Sequence, residues 1–440
     1  MRPLGAICCW TFAWYTHVAP GDPYADLARA AEDTRARGFD ALRVCGMPSY
    51  VSRALRTGEQ LHLAPFAAGP SRNLRWYDFS GGVSVQPAER LLELVRAARD
   101  AGLRLVLSNW DFQQAFKFEQ EPLLYERLRG LRTIDEMFAH VEETLRDELT
   151  LLQEHDLLDT VAVVEIMNEF ESAEVGPLTE VAVGSADGVG PFVATAGYQE
   201  RVREATRVPV ERTIAALRSD FPQLRYTVST TWPWTEPEPP RNRDAVEVNL
   251  YVTNKPVFAG YFELFENGDA WFGRVRDEAA RPLLRDGAPS YDEWLAQAGG
   301  GWRDLYWPQC YLGLYLDPER YLEFFTREFE LGVEAAREVV AALLDEAAAS
   351  AREQGIPWYL GEGYANNPPT TSLWNQSPQS RAFHDWVIAE ALRRGACGLT
   401  PTTMASPEHQ DVWAEVDWLR SANATIGKEA AETGSIDRVA

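Results

Sequence analysis

Residues 159–171 read Asp-Thr-Val-Ala-Val-Val-Glu-Ile-Met-Asn-Glu-Phe-Glu, and the pattern in this stretch decides the architecture. The near-continuous apolar run over 160–167 reads as a strand covered on both faces, and it stops on Asn168 and Glu169. A long stretch of helical spacing at 132–155 precedes it, and a second helical segment ending near Ser219 follows. The same unit recurs along the chain. Apolar strands are expected at 4–15 and 39–46, then at 103–110, where Gly102 closes the preceding helix. Further strands are expected at 224–232, 245–252, 356–363 and 396–400, with helices over 318–354, 380–394 and 408–421 between or after them. Eight such strands separated by helical crossovers predict an α/β fold, a (β/α)8 TIM barrel with loop insertions on its C-terminal face. The alternative, a doubly wound open sheet, lacks both a G-x-G-x-x-G after an early strand and a phosphate loop.

Size and composition fit one such barrel. The chain has 440 residues, 45% of them hydrophobic, so intrinsic disorder and a disulfide-stapled miniprotein are excluded. A net charge of −24 argues against nucleic acid or an anionic membrane as partner, because the long-range field repels polyphosphate. No run of 18 apolar residues offers a membrane span, and the five cysteines read as buried free thiols. The segment 4–15 has the length of a signal core but carries aromatics and no small-residue cleavage site, so it reads as the first strand. A cytoplasmic protein is expected, with secretion left open should a leader precede the chain. Residues 1–425 are expected to form one catalytic barrel and 426–440 a tail. Two segments exceed the simple unit, 60–86 and the insertion 253–317 between the sixth and seventh strands. Both follow strand C-termini, the face on which barrel enzymes build their sites.

The chemistry concentrates at two strand ends. Glu169 closes the fourth strand, and Trp-Tyr-Leu-Gly-Glu-Gly-Tyr at 358–364 ends the seventh on Glu362 between two glycines. Two carboxyls facing one another across a barrel mouth suit glycosidic bond cleavage. One stays protonated to donate to the leaving oxygen, and the other is ionised to attack or to activate water. A separation of roughly 5–5.5 Å implies retention of configuration, and roughly 6.5–9.5 Å implies inversion.

With those strand ends in hand, the sequence resembles the cellulase-type retaining glycoside hydrolases, a superfamily of TIM barrels with catalytic glutamates on strands 4 and 7. The resemblance runs from about residue 4 to 420. It implies that Glu169 is the acid/base, Glu362 the nucleophile, and Asn168 the residue that holds the sugar 2-hydroxyl. It implies that Arg43 in Ala-Leu-Arg-Val-Cys-Gly steadies the nucleophile and that Tyr251 donates a hydrogen bond to it. Ser-Asn-Trp-Asp-Phe at 108–112 resembles the strand-3 turn of mannanase-like members, which puts Asn109 and Trp110 in the cleft. Asn249 stands where the superfamily usually has a histidine two residues before the tyrosine. The strand-8 tryptophan is replaced by Thr400 and Pro401, and Trp374 is expected to take its place. Trp232 and Trp234, in Trp-Pro-Trp, are expected to cover the apolar face of a pyranose ring.

The expected activity is therefore hydrolysis of a β-glycosidic bond in a neutral oligo- or polysaccharide, with no cofactor and no metal. The partner is carbohydrate, and the chain is a monomer or a homo-oligomer. The six histidines lack H-x-x-x-H or H-E-x-x-H spacing, and no G-x-S-x-G elbow is present. Two readings stand beside the hydrolase. One is a metal-dependent barrel lyase or isomerase with carboxylate ligands; the other is a non-catalytic carbohydrate-binding barrel.

Overall fold

A computed structural model describes residues 2–52, 60–64, 82–113, 115–183, 198–231, 233–235, 238–252, 257–261, 277–298, 307–364, 377–403 and 405–433. Nine strands form one parallel sheet, in the order Tyr226–Thr227, Val161–Glu165, Arg104–Ser108, Ala41–Cys45, Gly5–Trp10, Gly398–Leu399, Trp358–Tyr364, Val246–Tyr251 and Ser229–Thr230. The first and last members of that order are two halves of one segment, interrupted at Val228. The sheet therefore closes on itself, and the expected fifth strand is present as two short pieces. The expected eighth strand is equally short, and Pro401, which has no N–H to give a ladder, lies two residues beyond its end.

Alternation of side chains divides each strand between two cores. Ile7, Ala41, Val106, Val163, Ala245, Tyr359 and Cys397 make a separate interior cluster that plugs the barrel. Their neighbours Cys8, Leu42, Leu105, Val164, Val246 and Leu360 face the other way and join the larger core beneath the helices. This double burial explains the near-continuous apolar reading of the strands.

The helices start and stop where local chemistry dictates. Ile134–Glu154 opens with a reciprocal capping box between Thr133 and Glu136. Pro318–Gln354 has Asp317 accepting from the backbone of Glu319 and Arg320, and it ends on Gly355 with φ 65°. The chain end differs from expectation. The helix Val416–Thr433 runs through the segment read as the start of a tail, because Ile426 and Ala430 continue its apolar stripe and are fully buried. A two-stranded antiparallel hairpin, Leu61–His62 with Ser84–Val85, lies in the first insertion and carries too few residues for a pattern to reveal it. In the second insertion, Tyr291, Trp294 and Tyr311 pack ring against ring, with centroids 5.3–6.1 Å apart. Among the described residues no helix is long and apolar enough to cross a membrane.

Candidate active site

Above the apolar plug, the next inward positions are charged. Two residues beyond Ala41 is Arg43, two beyond Val163 is Glu165, and two beyond Ala245 is Glu247. Arg43 is fully buried at the centre of this layer. Its Nε lies 3.0 Å from Glu165 Oε2 and 2.8 Å from Glu247 Oε1, and its Nη2 lies 2.9 Å from Glu165 Oε1. Nη1 donates to Glu362 Oε1 at 2.6 Å, and Nη2 also reaches Asn168 Oδ1 at 2.6 Å. Removing one partner from a buried charge cluster of this kind costs about 3–5 kcal/mol.

Glu362 arrives in this layer through a change of register. Tyr359 pairs with Glu247 and Leu360 with Val248, but Asn249 pairs with Glu362 rather than with Gly361. Strict alternation from the inward Tyr359 would have turned Glu362 outward. The extra residue at Gly361 re-aims it into the barrel. Only glycine fits there, since a Cβ at position 361 would overlap Glu247 Oε1. Once inside, Glu362 accepts from Arg43 through Oε1 and from the Tyr251 hydroxyl through Oε2 at 2.6 Å.

Glu169 is held differently. It sits just past the fourth strand in a left-handed conformation, φ 34° and ψ 53°, which costs a non-glycine residue of order 1–3 kcal/mol. Its backbone N–H donates to Ser229 Oγ at 2.8 Å, and its carbonyl accepts from Gln113 Nε2 at 3.3 Å. The side chain is half-buried and has no cationic partner within ion-pair distance among the described residues. Burial, then the negative charge of Glu362, push its carboxyl up to about 8. Asn249 links the two glutamates. Its Nδ2 stands 3.0 Å from Glu169 Oε1 and 3.3 Å from Glu362 Oε1, so those oxygens can be separated by no more than the sum, 6.3 Å.

Asn168 fixes the intervening geometry. Its Oδ1 accepts from Arg43, from Ser229 Oγ at 2.9 Å and from Asn249 Nδ2 at 3.1 Å, while its Nδ2 donates to Gln113 Oε1 at 2.6 Å. Arg43, Asn168, Glu169, Asn249, Tyr251 and Glu362 thus meet in one network. Asn109 approaches it through the backbone alone, its carbonyl accepting from Asn168 N at 2.8 Å. The Asn109 side chain turns instead to the N–H of Asp111 at 2.9 Å.

The expected aromatic lining divides. Trp110 is buried, its ring 5.4 Å from the Arg43 guanidinium carbon and edge-on to Phe12, so it forms part of the floor. Trp234 has no exposure and packs on Phe170 at 5.3 Å, a wall residue without a free face for a sugar. Trp232 and Trp374 lie outside the described residues. Glu165, Glu247, Gln113, Ser229 and Tyr359 complete the network without having been singled out from the sequence. A charged residue two positions from an inward apolar one, as in Val-Val-Glu and Ala-Val-Glu, was the signal available for the two glutamates.

A second buried polar cluster lies outside the mouth. Ser49 Oγ bridges Asp111 Oδ2 at 2.5 Å and His140 Nε2 at 2.9 Å, and Glu148 accepts from Met47 N nearby. The order of contacts, acid to serine to histidine, is not that of a nucleophilic triad, in which the acid orients the histidine. Burial pushes Asp111 up to about 7 and Glu148 up to about 8, and it pushes His140 down to about 4. Among the described residues no group of three His, Cys, Asp or Glu side chains is disposed to hold a metal ion. In the barrel itself, the position a cation would take between carboxylates is filled by the Arg43 guanidinium.

The model of the sugar-binding cellulase-like family matches residues 7–427. The chain belongs to that cellulase-like family. Among solved structures, this cellulase-like chain is similar to a protein from Parabacteroides distasonis ATCC 8503 provisionally described as a glycoside hydrolase. The two share 14% identity at a TM-score of 0.66, over 98% of this chain and 100% of the other, which establishes a shared fold. Weaker similarity extends to a broad specificity endoglucanase from Clostridium longisporum, with 11% identity, 97% of each chain covered and a TM-score of 0.49. An endo-β-1,4-mannanase from Thermotoga petrophila gives 13% identity and a TM-score of 0.45, over 97% of this chain and 77% of that one. No curated protein sequence matches the chain significantly.

Proposed function

We propose that this cellulase-like protein is a retaining glycoside hydrolase that cleaves β-glycosidic bonds of a neutral oligo- or polysaccharide. The observation that carries the reading is the single amide nitrogen of Asn249 within hydrogen-bond reach of both glutamates. The resulting bound of 6.3 Å on their facing oxygens falls below the roughly 6.5 Å at which inverting pairs begin. A shared donor this close to both carboxyls supports the closer, retaining spacing over the wider, inverting one.

Glu362, ionised against Arg43 and Tyr251, attacks the anomeric carbon and forms a glycosyl ester. Glu169, held neutral by burial and by the charge of Glu362, gives its proton to the departing glycosidic oxygen. Esterification then removes the negative charge of Glu362, one of the causes that keep Glu169 protonated. The carboxyl becomes more acidic and serves as the base for the incoming water. Attack of that water on the anomeric carbon breaks the ester and restores Glu362. Tyr251 and Asn249 steady the two carboxyls through both half-reactions.

The decisive experiment follows the first-formed anomer by NMR across a panel of aryl β-glycosides. Release of the β-anomer is expected. The α-anomer would overturn the double displacement, and no turnover of any member, with sugar binding unaffected by glutamine at both positions, would overturn the hydrolase reading.

A further inference from the structure

The Arg43 cluster contains more acid than base. Glu165, Glu247 and Glu362 all bond to this one guanidinium, and they have no other cationic partner among the described residues. Arg43, Glu165 and Glu247 are essentially inaccessible to water, and Glu362 nearly so. Three ionised carboxylates around one cation would leave two uncompensated charges in the barrel, an arrangement that burial strongly disfavours.

The donors identify which acid gives way. Arg43 has five N–H groups and serves both oxygens of Glu165 through Nε and Nη2, the fork geometry that favours an ionised carboxylate. Glu362 receives Nη1 at 2.6 Å, the Tyr251 hydroxyl at 2.6 Å and Asn249 Nδ2 at 3.3 Å. Glu247 receives only one charged donor, the single Nε–H at 2.8 Å that it shares with Glu165 at 3.0 Å, and otherwise the neutral hydroxyl of Tyr359 at 2.6 Å.

We propose that Glu247 holds a proton at neutral pH and acts as a positioning residue, the neutral member of the cluster that leaves Arg43 to pair with Glu165 and Glu362. Its surroundings agree from every side. Arg43 from the second strand and the Tyr359 hydroxyl from the seventh bond to it directly, Glu165 from the fourth shares the same Nε, and Glu362 and the Cys9 thiol lie at Nη1 of the guanidinium. Only Arg43 is positive, and burial keeps the Cys9 thiol and the Tyr359 hydroxyl neutral. Burial first, then the charge of Glu165, push the Glu247 carboxyl upward. Ionising Glu247 would set it in competition with Glu362 for the same guanidinium and loosen the nucleophile's orientation.

The positioning role rests on the hydrolase reading; the charge state does not. Glu247→Gln mimics the protonated acid, so its infrared difference from the wild type at pH 7 should lose a carboxylic acid C=O band and no carboxylate band. The folded state keeps a proton on Glu247 that the unfolded chain releases near its ordinary value of 4.5. Wild-type Tm should therefore fall relative to that of Glu247→Gln as pH rises above about 5. As pH rises through the point at which wild-type Glu247 ionises, the kcat ratio of Glu247→Gln to wild type should climb by about threefold or more, a trend that packing alone would not produce. Glu165→Gln should instead lose a carboxylate band. Loss of a carboxylate band in Glu247→Gln, or a Tm difference flat with pH, overturns the proposal. Should Glu247→Gln not fold, Tyr359→Phe must shift the acid band; a shifted carboxylate band there overturns it equally. Absence of turnover with the acid band in place would count against the hydrolase reading alone.

Discussion

The fourth and seventh strands each end on a glutamate, yet the two side chains live in opposite electrostatic settings. Glu362 is drawn inward by a register shift at Gly361 and gripped by a guanidinium and a phenol. Glu169 stands just beyond its strand on a strained left-handed residue, and among the described residues its side chain has one hydrogen bond, from Asn249, and no cation within ion-pair distance. The same residue type thus has a guanidinium beside it in one place and is pushed up to about 8 by burial and a neighbouring carboxylate in the other. Differentiating a pair of acids takes only a partner for one of them.

Removing the gripped member should have the largest effect. Glu362→Ala is expected to lower kcat by about 10⁴-fold or more, since no neighbouring group can replace the attacking oxygen. Azide should partly restore turnover and yield a glycosyl azide of inverted configuration. Restored activity without that product would break the assignment. Glu169→Ala should be more selective. Poor leaving groups should slow by about 10²–10⁴-fold, while a dinitrophenyl leaving group, which needs no proton, should depart nearly as fast as before. The sign of the pH dependence follows from the raised value. The active protonated form exists below about 8, so kcat/KM should fall as pH rises through that point. Equal loss for every leaving group would remove the contrast between the two strand ends.

Much of this contrast was legible in the sequence, because period-two patterning and strand-end position are local properties. Asn168, Glu169 and Glu362 could be placed at the mouth once eight strands were counted, and the resemblance to the cellulase-type hydrolases added Arg43, Asn249 and Tyr251. The geometry that separates their roles is not local. The bulge that turns Glu362 inward had a sequence mark, a glycine inside a strand, but its consequence depends on register with residues more than 100 positions away. Glu247 was hidden for a related reason. Its partner Arg43 is 204 residues distant, and only closure of the barrel brings them together. The aromatics misled most. Trp110 and Trp234 look like sugar platforms by position, but their faces are spent on Arg43, Phe12 and Phe170.

The smallest expected effect tests the bridge itself. Asn249 donates to Glu169, and that hydrogen bond favours the ionised carboxylate, opposing the upward push of burial and of Glu362. Asn249→Ala should therefore raise the Glu169 value further and carry the alkaline limb of kcat/KM to higher pH. A hydrogen bond to a charged group is worth about 1.5–3 kcal/mol, which corresponds to a displacement of about one to two pH units. Turnover at the optimum should drop by about tenfold, because Glu362 and Asn168 lose the same donor. An alkaline limb that stays in place would mean that Asn249 spaces the carboxyls without tuning them. A limb displaced to lower pH would contradict the donor geometry outright, since only an amide oxygen turned toward a protonated Glu169 could be lost with that sign.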